Sequence, residues 1–194
     1  MGRKIEFNYE DAIDQATNLF WSKGYKKASM RDLLQAMKIG EGSFYNSLRD
    51  KENLYLECLR HYNRKVTARR FEALQSEPTL KEGVRKFFEL VLEDLANGKN
   101  PRGCLMTNSL APEVLEMPKI KNYIMEEMAT FENYLTEIIE AARRRGEITS
   151  PLSSEELAQT LVIYLQGMFS VAGTYKKIPD LEIPMNSFLD QLGF

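Results

Sequence analysis

The side chains best suited to chemistry cluster between residues 29 and 51. Ser43, Tyr45, Asn46 and Ser47 are small or planar polar groups, interleaved with Phe44 and Leu48 at the spacing of a short helix. A helix with one apolar face and such a polar face can enter the major groove of a duplex and hydrogen-bond base edges. An ordinary helical corner with a polar surface fits the same pattern. Catalytic sets are scarce by comparison. His61 is the one histidine, no Cys-x-x-Cys or His-x-x-x-His pair occurs, and the turn Gly40-Glu41-Gly42-Ser43 follows no strand that would make it a phosphate loop. The acid pairs Glu126-Glu127 and Glu155-Glu156 read as solvated helix faces, the second suited to a helix N-terminus. No enzyme activity, cofactor or metal site is therefore expected. Cys104 stands apart: a thiol at a helix start, two residues after Arg102, could be activated toward oxidants or electrophiles, although a free cysteine is commonly a small buried hydrophobe.

These residues need helices to hold them. Apolar residues recur at three- and four-residue spacing along the chain, with no long alternating run. Ala12, Ile13, Ala16, Leu19 and Phe20 make one stripe over about 8–23, stopped at Gly24. Ser29 followed by Asp32 marks a helix start, and Met30, Leu33, Leu34 and Met37 give its apolar face. Residues 43–48 form one or two turns, ended by Arg49-Asp50, and Asp50 caps a long helix over 51–74. Further helices are expected over 79–96, 103–113, 118–145, 153–174 and 182–192, punctuated by Gly and Pro. The result is an all-α chain of about nine helices.

Composition fits this picture. The chain has 194 residues, 43% of them hydrophobic, enough for a sizeable core. No window approaches the roughly 20 apolar residues of a membrane span, and the start MGRKIEFNYEDA lacks the apolar stretch of a signal peptide. With two cysteines and no export signal, a cytoplasmic protein with reduced thiols is expected. Net charge is −2, yet residues 1–50 carry eight Lys and Arg against seven Asp and Glu, with the stretch Lys23–Arg31 clearly basic. Coating of nucleic acid by bulk positive charge is disfavoured, and local recognition is not.

The ordered run Phe20-x3-Gly24-Tyr25-x3-Ser29-Met30-Arg31-Asp32-Leu33, continued by Gly42-Ser43-Phe44-Tyr45-Asn46-Ser47-Leu48-x2-Lys51-Glu52-x-Leu54, resembles the DNA-binding domain of the TetR family of transcriptional regulators. The resemblance implies a helix-turn-helix DNA-binding domain over 1–50, a helical ligand-binding and dimerisation domain over 51–194, and a homodimeric repressor released from a palindromic operator by a small-molecule effector. Ser29 and Arg31 would lie near phosphates, and Gly42 would let the backbone approach the groove. Ser43, Tyr45 and Asn46 would face bases or phosphates, and Lys51 would meet a phosphate at the start of its helix. Arg3 and Lys4 could form a basic arm. Three residues depart from the family pattern: Lys38 replaces the usual turn Gly, Gly40 a capping Ser or Thr, and Glu41 a Lys.

For the second half, the resemblance implies a cavity enclosed by the middle helices and an interface made by the last two. Asn108 is the expected hydrogen-bonding group for a ligand, with Tyr62, Val66, Phe87, Cys104, Met128, Phe131 and Phe169 around it. The helix over 153–174 carries more apolar surface than one stripe, so Leu161, Tyr164, Leu165 and Met168, with Phe188 from the last helix, are expected to meet a second copy. A thiol sensor acting through Cys104, or a helical adaptor for proteins, are the other functions this scaffold could serve.

Overall fold

The computed structural model describes residues 8–97, 103–175 and 177–194. Arg3, Lys4 and Arg102 lie outside them. Among the described residues the chain forms eleven α-helices: α1 (Tyr9–Lys23), α2 (Met30–Met37), α3 (Glu41–Leu48), α4 (Lys51–Tyr62), α5 (Ala68–Ser76), α6 (Leu80–Ala96), α7 (Leu105–Asn108), α8 (Pro112–Leu115), α9 (Pro118–Arg144), α10 (Ser154–Ala172) and α11 (Glu182–Leu192). A π turn (Asn63–Thr67) joins α4 to α5, and a 3₁₀ turn (Ile178–Leu181) precedes α11.

Local chemistry sets most helix starts. The Asn8 side chain caps α1, Asp50 caps α4, and Ser29, Thr79 and Ser153 form reciprocal capping boxes with Asp32, Glu82 and Glu156. Two connections are tighter. Lys38 closes α2 in the left-handed region (φ 56°, ψ 38°), and the Ile39 N–H reaches back to the Leu34 carbonyl at 3.2 Å, the bond of a Schellman cap. The usual glycine therefore has a strained substitute. Arg49 sits at φ 67°, ψ −59°, with the Asp50 N–H donating to Leu48 O at 2.8 Å, a γ-turn that swings α3 into α4 with two residues between them.

The first four helices share a core. Phe44 and Leu48 of α3, Leu33 and Met37 of α2 and Leu54 of α4 are buried in it together, while Ile13, Ala16 and Phe20 of α1 pack on Tyr55 and Cys58 of α4. Phe20 and Tyr55 meet edge to face with centroids 4.7 Å apart.

Two expected helices break. The run over 51–74 is interrupted by the π turn, which inserts wider backbone rings without ending the axis. The run over 103–113 becomes two single turns. Ser109 Oγ donates to Leu105 O at 2.8 Å, and Ala111, preceding Pro112, is held extended at ψ 138°.

The segment 103–109 threads through the middle of the molecule. Trp21 Nε1 of α1 donates to Gly103 O at 2.9 Å, and the Tyr55 hydroxyl of α4 pairs with Ser109 Oγ at 2.7 Å. The Tyr62 hydroxyl donates to Cys104 Sγ at 3.3 Å. Gly103 has φ +74°, and a Cβ there would lie 2.7 Å from the Phe169 carbonyl oxygen of α10. Only glycine allows both that backbone angle and that approach.

Candidate nucleic-acid interface and effector cavity

The outer face of α3 is polar and open. Tyr45, Asn46 and Ser47 are exposed, Ser43 is half-buried, and Phe44 and Leu48 anchor the helix from below. The Tyr45 ring stands edge-on to Phe44 at 5.2 Å, which orients an exposed side chain without burying it. Ser29 and Arg31 are exposed at the start of α2, where the Ser29 hydroxyl already accepts from the Asp32 N–H at 3.1 Å. Gly42 is exposed with open space where a Cβ would point.

Lys51 opens α4 and lies half-buried with its Nζ 4.5 Å from the centre of the Tyr25 ring. Burial holds its pKa below the ordinary lysine value. Glu41 occupies the first turn of α3, where its charge suits the helix dipole of the free protein but would oppose a phosphate. Lys23 and Asp32 form an ion pair at 3.0 Å linking α1 to α2.

A cavity of about 250 Å³ lies among the π turn, α5, α6, α9, α10 and the 103–109 segment. Phe87, Cys104, Met128, Phe131 and Phe169 line it, as does Leu165, which had been assigned to the partner-facing side. Phe71 packs edge to face on Phe131 at 4.9 Å. Tyr62 and Val66 do not line the cavity: Tyr62 stands behind Cys104, and Val66 packs against the core from the π turn. Asn108 is not a lining residue either. It ends the single turn α7, half-buried, because the break at Ser109 turns that stretch away from the cavity.

Other polar groups take the place of Asn108. Asn63 Nδ2 donates to Glu127 Oε2 and to the Tyr123 hydroxyl, each at 3.0 Å, tying the π turn to α9. Glu127 is thus a half-buried wall of the cavity and not a solvated face. Thr107 Oγ1 donates to Gln166 Oε1 at 2.6 Å. Arg70 is 4% exposed, its Nε donating to Asp94 Oδ2 of α6 at 3.0 Å and its Nη2 paired with the same oxygen at 2.9 Å, and its guanidinium lies 5.4 Å from the centre of the Phe169 ring. Burial opposes the charge on Arg70, but Tyr62, Cys104 and Asp94 outweigh it and hold its pKa above the ordinary value. Burial likewise pushes the Tyr62 hydroxyl well up, so it remains a neutral donor.

The partner-facing expectations for α10 also need correction. Leu161, Leu165 and Met168 are buried within their own protomer, the first two beside Phe87 and Phe88 of α6 and Phe131 and Leu135 of α9, while Tyr164 is half-buried and stacks on Phe188 at 3.7 Å. The apolar residues left outside are Ile163 (72% exposed), Val171 and, on α11, Ile183 (80% exposed). Gly167, one turn from both Ile163 and Val171, has open space beside it.

A compact reading head with an exposed polar helix, joined to a helical body that encloses a cavity, defines a helix-turn-helix DNA-binding regulator. The chain belongs to the TetR family of bacterial regulatory proteins. Residues 12–58 match the family described as "Bacterial regulatory proteins, tetR family", and residues 81–183 match "Tetracyclin repressor-like, C-terminal domain". The HTH-type transcriptional repressor ComR of Escherichia coli is 26% identical over 168 residues, covering 86% of this chain and 80% of that protein. The HTH-type transcriptional repressor DhaR of a Mycobacterium species is 24% identical over 185 residues, covering 91% and 86%. Among solved structures, a cysteine mutant of the TetR-family regulator CifR complexed with 26-bp operator DNA superposes with a TM-score of 0.88 at 25% identity, covering 97% of this chain and 98% of that one. Among the described residues, no helix is long and apolar enough to cross a membrane.

Proposed function

We propose that this chain is a cytoplasmic, non-catalytic repressor that binds a palindromic operator as a homodimer and is released when a small molecule occupies the cavity. The reading rests on one observation above others: the π turn that walls the cavity is continuous with α4, and α4 begins at Lys51, one tight turn beyond the reading helix α3. A ligand that displaces Asn63 or Thr67 acts on the element that carries the reading head. Two heads must hold fixed register on two half-sites, so a small change at α4 is enough to lose one of them. The operator complex of CifR supports the DNA-bound arrangement.

Ser29, Arg31, Gly42, Ser43, Tyr45, Asn46 and Lys51 are the proposed DNA contacts. Ile163, Gly167, Val171 and Ile183 are the proposed partner-facing positions, the stacked pair Tyr164 and Phe188 lying beside them. The deciding experiment is a gel-shift on DNA flanking the chain's own gene, repeated with candidate effectors. Effector and operator are expected to antagonise each other with a coupling of about 1–3 kcal/mol, equal from either side. Effectors that bind in the cavity yet leave operator affinity unchanged would overturn the proposal.

One observation favours a second trigger on the same scaffold. Cys104 lines the cavity and accepts the Tyr62 hydroxyl hydrogen, so an electrophile that enters would meet its sulfur. Repeating the release assay with Cys104→Ser separates the two: a reversible ligand survives the change, and a thiol trigger does not.

A further inference from the structure

We infer that the effector carries a carboxylate, and that Arg70 is the residue that receives it. This rests on the effector-cavity reading above and adds the chemical class of the ligand. Arg70 is the one Arg or Lys among the described residues of the cavity wall. It stands in a wall rich in aromatic and sulfur-bearing side chains, among them Phe169, Phe87 and Met106. A guanidinium has five N–H donors in a fixed fork. The bonds to Asp94 use Nε and Nη2 and end on a single carboxylate oxygen, Oδ2. The other Asp94 oxygen faces Arg69 at 3.6 Å. The contacts with Asp94 leave Nη1 aside on a side chain that is almost wholly buried, and the Tyr62 hydroxyl is the guanidinium's other hydrogen-bonding neighbour.

Holding a charge in an apolar wall is costly unless its donors are met. A planar carboxylate matches the edge of the fork that Asp94 does not occupy, and its charge meets an arginine whose own counter-ion sits on the Nε side. The Tyr62 hydroxyl beside Arg70 is kept neutral by its burial and already donates to Cys104 Sγ, so it brings no competing negative charge to the guanidinium. Glu127 of α9, also in the wall, already accepts from Asn63, and a carboxylate there disfavours an anionic group beside it. Phe71, Phe87, Phe131 and Phe169 make up much of the remaining wall, with Asn63, Thr67 and Gln166 as its neutral polar members, so the rest of the ligand is compact and largely apolar or aromatic.

The test compares matched pairs on the wild-type protein: benzoate with benzamide, phenylacetate with phenylacetamide, and hexanoate with hexanamide, read by calorimetry and by release of operator DNA. The acid of a pair should bind about 10- to 100-fold more tightly than its amide, the range of a hydrogen bond to a charged group. Arg70→Gln and Arg70→Lys, each checked for folding by thermal melt, should shrink that ratio, glutamine fully and lysine in part. A ratio that stays constant across wild type and both variants overturns the assignment of Arg70. Amides that bind as well as acids, and release operator equally, overturn the carboxylate while leaving the effector cavity intact. Acids that bind with Arg70-dependent preference yet never release operator would instead overturn the repressor mechanism and leave the ligand class standing.

Discussion

Lys51 and Asn46 would meet DNA with different chemistry, and their loss should be distinguishable. Lys51, at the N-terminus of α4 and over the Tyr25 ring, is placed for a phosphate, which carries no sequence information. Lys51→Ala should weaken binding to all duplexes alike and reduce the slope of log affinity against log salt by about 1. Asn46→Ala should change base preference at a few positions, at about 1–3 kcal/mol for each lost pairing. Fluorescence anisotropy on operator and scrambled duplexes at several salt concentrations checks both, and identical profiles would contradict the face assigned to α3. At this scale the reading head was legible because its signals are local: Ser29 and Asp32 announce a capping box, and Phe44 and Leu48 mark the buried side. Arg70 was not legible. Within the 51–74 pattern it looks like any solvated helix charge, because its partner Asp94 lies 24 residues away on another helix.

Among the elements, the breaks at the π turn and at Ser109 follow from contacts between helices, which the spacing of apolar residues does not encode. Residues 63–67 would continue an α-helix by propensity. The Asn63 side chain, however, is held by Tyr123 and Glu127 of α9, and Thr67 Oγ1 donates to Asn63 Oδ1 at 3.3 Å within the wider turn. The same limit applies to α10, which is apolar on most of its circumference, so pattern alone could not say that Leu161 faces inward and Ile163 outward. The contact of Gly103 with α10 has a sharp test. Gly103→Ala must place a Cβ 2.7 Å from Phe169 O at a positive φ, and the neighbour it meets is backbone that cannot rotate away. Its destabilisation should exceed about 2 kcal/mol in chemical denaturation. Gly167→Ala, with nothing within 4 Å of the added methyl, should leave the protomer's own stability almost unchanged.

For the molecule as a whole, the all-α architecture was legible from the sequence, and which apolar residues of α10 stay exposed was not. With Leu161, Leu165 and Met168 buried in the protomer, the proposed partner-facing positions are the residues left outside. Ile163→Asp and Ile183→Asp should shift sedimentation toward monomer without changing helix content, whereas Leu161→Asp should unfold the protomer by burying an unpaired charge. A dimer that survives both surface changes would place the interface elsewhere. The threading of residues 103–109 between Trp21, Tyr55, Tyr62 and the α10 backbone also bears on engineering. A specificity swap that imports another regulator's first fifty residues would bring in a foreign partner for Gly103 O and set it against the native Cys104 and Ser109. Reading heads on this scaffold are therefore not interchangeable cassettes. A working chimera has to carry α1, α4 and the 103–109 strap together as one transplanted part.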